Sequence, residues 1–339
     1  MASRSAPGRA DRLVTLVGRV RELGLLIALL VLVVAVGLRA GDRFLSLGNL
    51  RTVLLAVSIL AVMAAGQTLV VLTRNVDLSV ASIVGLTTFV AGDLFKQNPG
   101  IAVPLVVGLA CLLGLALGAI NGALVTVGRV PAIVATLGTL YVYRGTTFWI
   151  AGGEQVNVSD VPDGYRDIAM TRAVADVPNP ILIAGAIALV VAYVLRYTRI
   201  GRQLYAIGSN PDAARLAGIR SDRLVFGAFA ACGLLCGLAG VLWGARYGRI
   251  DSRAATGYEL QVVAAVVVGG VNIFGGAGTV LGAVLGAVLL GTVANALTIL
   301  RFDAFWLQAI SGLAILIAVT IDLLITRRVG RTLLAGRNR

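Results

Sequence analysis

Apolar runs of near twenty residues, separated by short polar or arginine-rich breaks, fill most of this chain. A helix needs about 20 apolar residues to cross the hydrocarbon core of a bilayer, so this spacing predicts membrane-spanning helices. About ten candidate spans follow, over 23–38, 50–72, 78–95, 101–125, 131–151, 180–195, 224–243, 260–274, 279–300 and 304–325. Polar and glycine residues interrupt the third and the eighth. The expected fold class is all-α: a polytopic transmembrane helix bundle of about ten spans.

One stretch breaks the pattern. "SNPDAARLAGI", residues 209–219, reads as a short helix from a water-soluble protein. Asn210 is placed to cap it, Pro211 suits the first helical position, Asp212 favours the positive helix end, and Gly218 stops it. Ala213, Leu216 and Ala217 form a small apolar patch beside Arg215. That patch is too small for good membrane anchoring, so a knob fitting a groove on a partner is the favoured reading over a helix lying on headgroups.

Arginine placement orients the spans, because cytoplasmic loops retain basic residues. Both ends are basic, and an even number of spans puts them on one side. The 196–223 loop, with six arginines against Asp212 and Asp222, falls on that side; the 152–179 loop, carrying Glu154, Asp160, Asp163, Asp167 and Asp176, falls opposite. Arg246, Arg249 and Arg253 run against this rule. The expected division is a basic cytoplasmic segment over 1–22, a transmembrane domain over 23–326, and a basic cytoplasmic tail over 327–339. No small-residue cleavage site follows the first span, so the leader does not read as a cleavable signal.

Composition agrees and excludes several functions. The chain of 339 residues is 58% hydrophobic and 13% charged, about half the charge of a soluble domain. Its net charge of +13 belongs with anionic headgroups of membrane lipids, since no nucleic-acid-binding motif accompanies it. Histidine is absent, which removes the commonest general base and metal ligand. No GxxxxGK[ST] contains the single lysine, Lys96, so this chain has no P-loop, and any ATP would be bound by another subunit. Catalytic, metal and cofactor sites are therefore not expected. Cys111, Cys232 and Cys236 lie inside apolar runs, as packing residues rather than a disulfide framework.

Two segments echo each other. "VDLSVASIVGLT" over 76–87 and "YELQVVAAVVVGG" over 258–270 both start acid-Leu-polar-Val, and each precedes a glycine-spaced run: Gly114, Gly118, Gly122, then Gly278, Gly282, Gly286. The units start five spans apart, an odd shift that inverts them, which is the mark of inverted repeats around a transport path. Asp77 and Glu259 open the two units. Helix-start stabilisation is the simpler role for both, with a place in a pathway second. Gln67, Asn121, Thr136, Thr139, Tyr143, Asn272, Asn295 and Gln308 add neutral hydrogen-bonding groups, which suit a polyhydroxy ligand if they converge and hold helices together if they do not. Gln67, Asp77, Asn121, Thr136, Tyr143, Asn272 and Asn295 are taken as the path candidates.

Four stretches together carry a family resemblance: "GRQLYAIGSNPDAARLAGI", "NVDLSVASIVGL", "NGALVTVGRVPAIVATLGTLYVYRG" and "GYELQVVAAVVVGGVNIFGGAGTVLGAVLGAVLLGTVANAL". Over residues 50–322 the chain resembles the permease subunits of bacterial ATP-binding-cassette (ABC) importers for monosaccharides such as ribose, arabinose, xylose and rhamnose. The resemblance implies ten spans in the inner membrane and pairing with a second permease, as homodimer or heterodimer. It further implies cytoplasmic ATP-binding subunits and an extracytoplasmic sugar-binding protein. It makes 196–223 the coupling loop, in which Asn210, Pro211, Asp212, Ala213, Arg215, Leu216 and Gly218 form the helix that docks on the ATPase. "GGVNIFGGAG" and "FWLQAISG" lean toward the rhamnose or autoinducer-2 branch. Ala81 and Ala277 depart from the glycine and arginine usual in that family. The alternatives are an ion-coupled secondary carrier using Asp77 and Glu259, or a related permease for branched-chain amino acids or nucleosides.

Overall fold

The computed structural model describes residues 9–174, 177–303, 305–317 and 319–320, the side chains of 9–22 and 173–174 excepted. Residues 1–8, the tail 327–339 and the end of the last expected span lie outside these. The helices are α1 (Arg9–Ala40), α2 (Asp42–Leu45), α3 (Leu47–Leu72), α4 (Val80–Gln97), α5 (Val103–Thr126), α6 (Ala132–Ala151), α7 (Asp163–Met170), α8 (Asn179–Tyr197), α9 (Arg199–Ser209), α10 (Pro211–Leu216), α11 (Ser221–Tyr247), α12 (Tyr258–Val268), α13 (Val280–Ile299) and α14 (Phe305–Ile317). A two-stranded antiparallel ribbon, β1 (Arg172–Val174) and β2 (Val177–Pro178), leads into α8.

Six helices among the described residues are long and apolar enough to cross a membrane: α1 from Leu23, α3, α5, α8, α11 and α13. All ten expected spans have a helix in them, but not of equal kind. α4 and α6 are long enough yet more polar, and α12 and α14 are short. The expected run 260–274 ends early, at Val268, because a chain of glycines follows, several with left-handed φ (Gly270 +94°, Gly275 +81°, Gly276 +73°). At the other extreme α1 continues back to Arg9, through residues expected as a separate basic segment.

α3 sits at the centre, with most of its length buried. Around it the closest packing is between α5 and α11, and glycine is the reason. Gly114 and Gly118 of α5 face Gly233 and Gly237 of α11, and an added Cβ at Gly118 would overlap Phe229 O. Apolar side chains gain little by leaving lipid for protein, so close backbone approach through small residues is what holds such helices together. The second glycine row behaves differently. Gly282 and Gly286 of α13 face Ala265 of α12 and Gly269 just after it, their own repeat's partner, so the two glycine helices of the sequence echo do not use equivalent neighbours.

Side-chain and backbone contacts sort the connections onto two ends of the bundle. At one end the 73–79 connection, α9, α10 and the 269–278 turn meet: Arg74 bonds Gly208 O and Ser209 O, Gly276 N bonds Leu72 O, and Tyr205 OH bonds Gly278 O. Arg129 and Asp222 pair there too, through two bonds of 3.0 and 2.9 Å. At the other end Lys96 pairs with Glu154, Val156 bridges Ile250, Arg249 bonds Gln155, and Asn49 and Asn295 exchange amide bonds. α3, α5, α8, α11 and α13, each long and apolar enough to cross a membrane, therefore run from one end of the bundle to the other. Arg246, Arg249 and Arg253 share the end of the acidic 152–179 segment and run against the charge rule there.

Candidate functional site

Two features stand out from the apolar bundle: a buried polar cluster, and the short helix α10. The cluster begins where α3 ends. The chain leaves α3 at Leu72 and re-enters the bundle as an extended connection, carrying Asp77 to a fully buried position. Asp77 Oδ1 accepts from Ser79 N at 2.8 Å and from Ser79 Oγ at 2.7 Å, which fixes the turn into α4. From α5, Asn121 Nδ2 donates to Ser79 Oγ at 2.7 Å and reaches the Asp77 carboxylate at 3.4 Å. From α6, Tyr143 OH lies 3.3 Å from Asn121 Oδ1 and donates to Leu117 O at 3.0 Å, while Thr136 Oγ1 takes the N–H of Leu78 at 3.1 Å. Asp77 thus has neutral partners only, supplied by its own turn and by α5. Polar groups removed from water are costly unless paired, and here the pairs tie α4, α5 and α6 to one point.

The path candidates taken from the sequence divide on this basis. Asp77, Asn121, Thr136 and Tyr143 converge, with Thr139 beside them bonded to Thr136 O. Gln67 is buried on α3 against α11, where Cys232 Sγ lies 4.0 Å from its Oε1 and its Nε2 has no partner. Asn272 serves the glycine turn, accepting from Phe274 N at 2.8 Å. Asn295 pairs with Asn49 at the far end of the bundle. Glu259 accepts from Gly257 N at the start of α12. Ser79 is the central residue that sequence reading passed over. Its signal was the "DLS" spacing, an acid two residues before a hydroxyl at a helix start.

α10 has the capping expected of it. Asn210 Oδ1 accepts from Ala213 N at 3.0 Å, Pro211 is the first helical residue, and Asp212 and Arg215 complement the helix dipole. At the other end Gly218 N bonds Arg215 O and Ile219 N bonds Ala214 O, a Schellman closure that Gly218 permits with φ +75°. Ala214 is buried against the bundle; Leu216 is 92% exposed, with Ala213, Arg215 and Ala217 around it also exposed. A capped, six-residue helix therefore stands on the bundle's end and presents one large apolar side chain to the outside.

At the opposite end a polar groove of about 810 Å³ lies between the 155–166 segment and Arg249, with Gln155, Asn157, Asp163 and Arg166 along it. Between Asp163 and Arg166, Tyr165 turns inward, fully buried with its OH on Val241 O at 3.1 Å. Among the described residues no group of three or more cysteine, aspartate and glutamate side chains could hold a metal ion.

Residues 49–319 match the family model described as branched-chain amino acid transport system / permease component. Among curated proteins the chain is similar to the ribose import permease protein RbsC of Escherichia coli K12, 38% identical over 299 residues, covering 88% of this chain and 92% of that protein. It is also similar to the autoinducer 2 import system permease protein LsrC of Photorhabdus luminescens (37% over 302 residues, 89% of each chain). LsrC of Yersinia pseudotuberculosis is 36% identical over 302 residues, 89% of this chain and 84% of that protein. No solved structure matches it significantly. With a multi-pass helical bundle, a family match across most of its length and relatives that align nearly end to end, the chain belongs to the branched-chain amino acid transport system / permease component family.

Proposed function

We propose that this chain is the membrane permease subunit of an ABC importer that carries a monosaccharide or a sugar-like solute into a bacterial cell. The observation that carries the reading is α10: a capped helix outside the spans, with Leu216 exposed, in a family whose members named here are import permeases. Asn210, Pro211, Asp212, Ala213, Arg215, Leu216 and Gly218 form the docking peg for a cytoplasmic ATP-binding subunit. The bundle lies in the inner membrane with ten crossings and with both termini and α10 in the cytoplasm. The groove along Gln155, Asp163, Arg166 and Arg249 then faces outward, where a solute-binding protein delivers the ligand.

The chain itself makes and breaks no covalent bond. ATP closes the partner subunits, the closure displaces α10, and the rigid helices behind it change the access of the path, which is completed by a second permease subunit. Of the path candidates, Asp77, Asn121, Thr136 and Tyr143 act as one unit, because they are bonded into one cluster. The ribose and autoinducer-2 names of the relatives favour a small polyhydroxy solute over a branched-chain amino acid.

Reconstitution tests this. Proteoliposomes holding the permease, its ATP-binding subunits and the binding protein are assayed for uptake of labelled pentoses, deoxyhexoses and autoinducer-2. ATP-dependent uptake of one of them is expected. Uptake that persists without the ATP-binding subunits and collapses with an uncoupler would establish a secondary carrier instead.

A further inference from the structure

We infer that Arg74 is the positioning residue through which motion of α10 reaches the buried Asp77 cluster; this rests on the reading of α10 as the ATPase contact. Arg74 stands in the connection between α3 and α4, with a left-handed backbone (φ +66°) that arginine rarely adopts. That conformation turns its side chain onto the end of α9. Nε donates to Gly208 O at 2.6 Å and Nη2 to Ser209 O at 3.1 Å. These are carbonyls of the last turn of α9, where helix geometry leaves acceptors unpaired and the dipole favours a cation. Ser209 is followed directly by Asn210, the cap of α10. One guanidinium thus holds the base of the peg.

The joint has no slack. Gly276 N bonds Leu72 O at 3.0 Å, and Tyr205 OH holds Gly278 O at 2.8 Å. An added Cβ on Gly276 would stand 2.5 Å from Ser209 N, one on Gly275 would stand 2.9 Å from Arg74 N, and one on Gly208 would overlap Leu72 O. Three backbone segments therefore touch directly; Arg74 bonds the 73–79 connection to the end of α9, and Tyr205 bonds α9 to the 269–278 turn. Packed backbone transmits displacement where loosely packed side chains would absorb it. Three residues beyond Arg74 is Asp77, gripped through Ser79 by Asn121 of α5, with Leu78 N on Thr136 of α6. A shift of α10 reaches the starts and faces of α4, α5 and α6 through Arg74 and four residues of chain.

Coupling is measured, not read from contacts, and two variants in the full complex measure it. Arg74→Gly suits the left-handed backbone and removes the whole side chain, guanidinium included; Arg74→Lys keeps the cation and most of the stem but loses the two-point grip. The readout is solute moved per ATP hydrolysed in proteoliposomes, alongside complex assembly and ATPase rate. Arg74→Gly is expected to assemble and hydrolyse ATP at the wild-type rate or above, with the transport-to-ATP ratio down about tenfold, and Arg74→Lys down about threefold. A ratio equal to wild type in both variants overturns the proposal. So does a proportional fall of both rates with assembly, which marks a purely structural role. A wild-type complex without ATP-driven uptake overturns the import reading itself, and is told apart because it appears before any substitution.

Discussion

Asn121 on α5 donates its side-chain amide to Ser79 Oγ across 2.7 Å, and the same hydroxyl donates to Asp77 at the entrance of α4. Ser79 thus takes one bond and passes on another, so the three residues act as one buried unit. Removing one member leaves the others desolvated and unpaired, at a cost of about 1–3 kcal/mol. Asn121→Leu is expected to lower stability by that amount, and Ser79→Ala by a similar one. Because they share a bond, the double variant should cost less than the sum. Thermal unfolding of the detergent-solubilised protein checks both, and strict additivity would mean that the two residues are independent.

At the α5–α11 contact, volume decides. Gly118 faces Gly233 across a gap that admits no side chain. Gly118→Val should lose several kcal/mol by overpacking and yield little folded protein in the membrane fraction. Gly138, with open space around its Cα, is the control: Gly138→Ala should express normally.

For α10, fold and docking separate. Asn210→Ala removes the cap bond to Ala213 N and should cost about 1 kcal/mol of local helix stability. Leu216→Asp touches nothing in the bundle and should leave melting unchanged while abolishing co-purification with the ATP-binding subunit. Wild-type co-purification of Leu216→Asp would move the docking surface elsewhere.

Lys96 and Glu154 tie the end of α4 to the segment after α6. Their hydrogen bond holds the ammonium above its usual 10.5 and the carboxyl below its usual 4.5. A raised lysine stabilises below 10.5 and loses that as pH rises through its folded value. A depressed glutamate stabilises above 4.5 and loses that as pH falls through its folded value. Lys96→Met should therefore melt slightly earlier than wild type around neutral pH, with the gap closing in strong acid and in high salt. A gap that persists in strong acid would attribute the effect to packing.

Much of this was legible beforehand, and the failures have physical causes. Six long apolar helices followed from apolar length, and α10 from four local signals, Asn210, Pro211, Asp212 and Gly218, each of which acts within a few residues. The six glycines of 267–282 marked a tight turn between the eighth and ninth spans, but the exact end of α12 at Val268 was not legible, because an apolar run continues past it and the left-handed glycines decide. Nor could the sequence tell that Asn121 joins Asp77 while Asn295 joins Asn49. Both are asparagines on apolar helices, and only the crossing of those helices chooses their partners. Arg74 stayed hidden for the same reason: its partners are the carbonyls of Gly208 and Ser209, far along the chain.

The placement of α10 against a cytoplasmic ATPase is the claim on which the functional account stands. It is tested most directly by a Leu216→Cys probe in a Cys111→Ala background, since Cys232 and Cys236 are buried. A membrane-impermeant maleimide is applied to inside-out and right-side-out vesicles, with and without the ATP-binding subunit. The account predicts labelling only in inside-out vesicles, and protection when the ATP-binding subunit is present. Labelling from the outer face, or labelling that the bound subunit leaves unchanged, would contradict it.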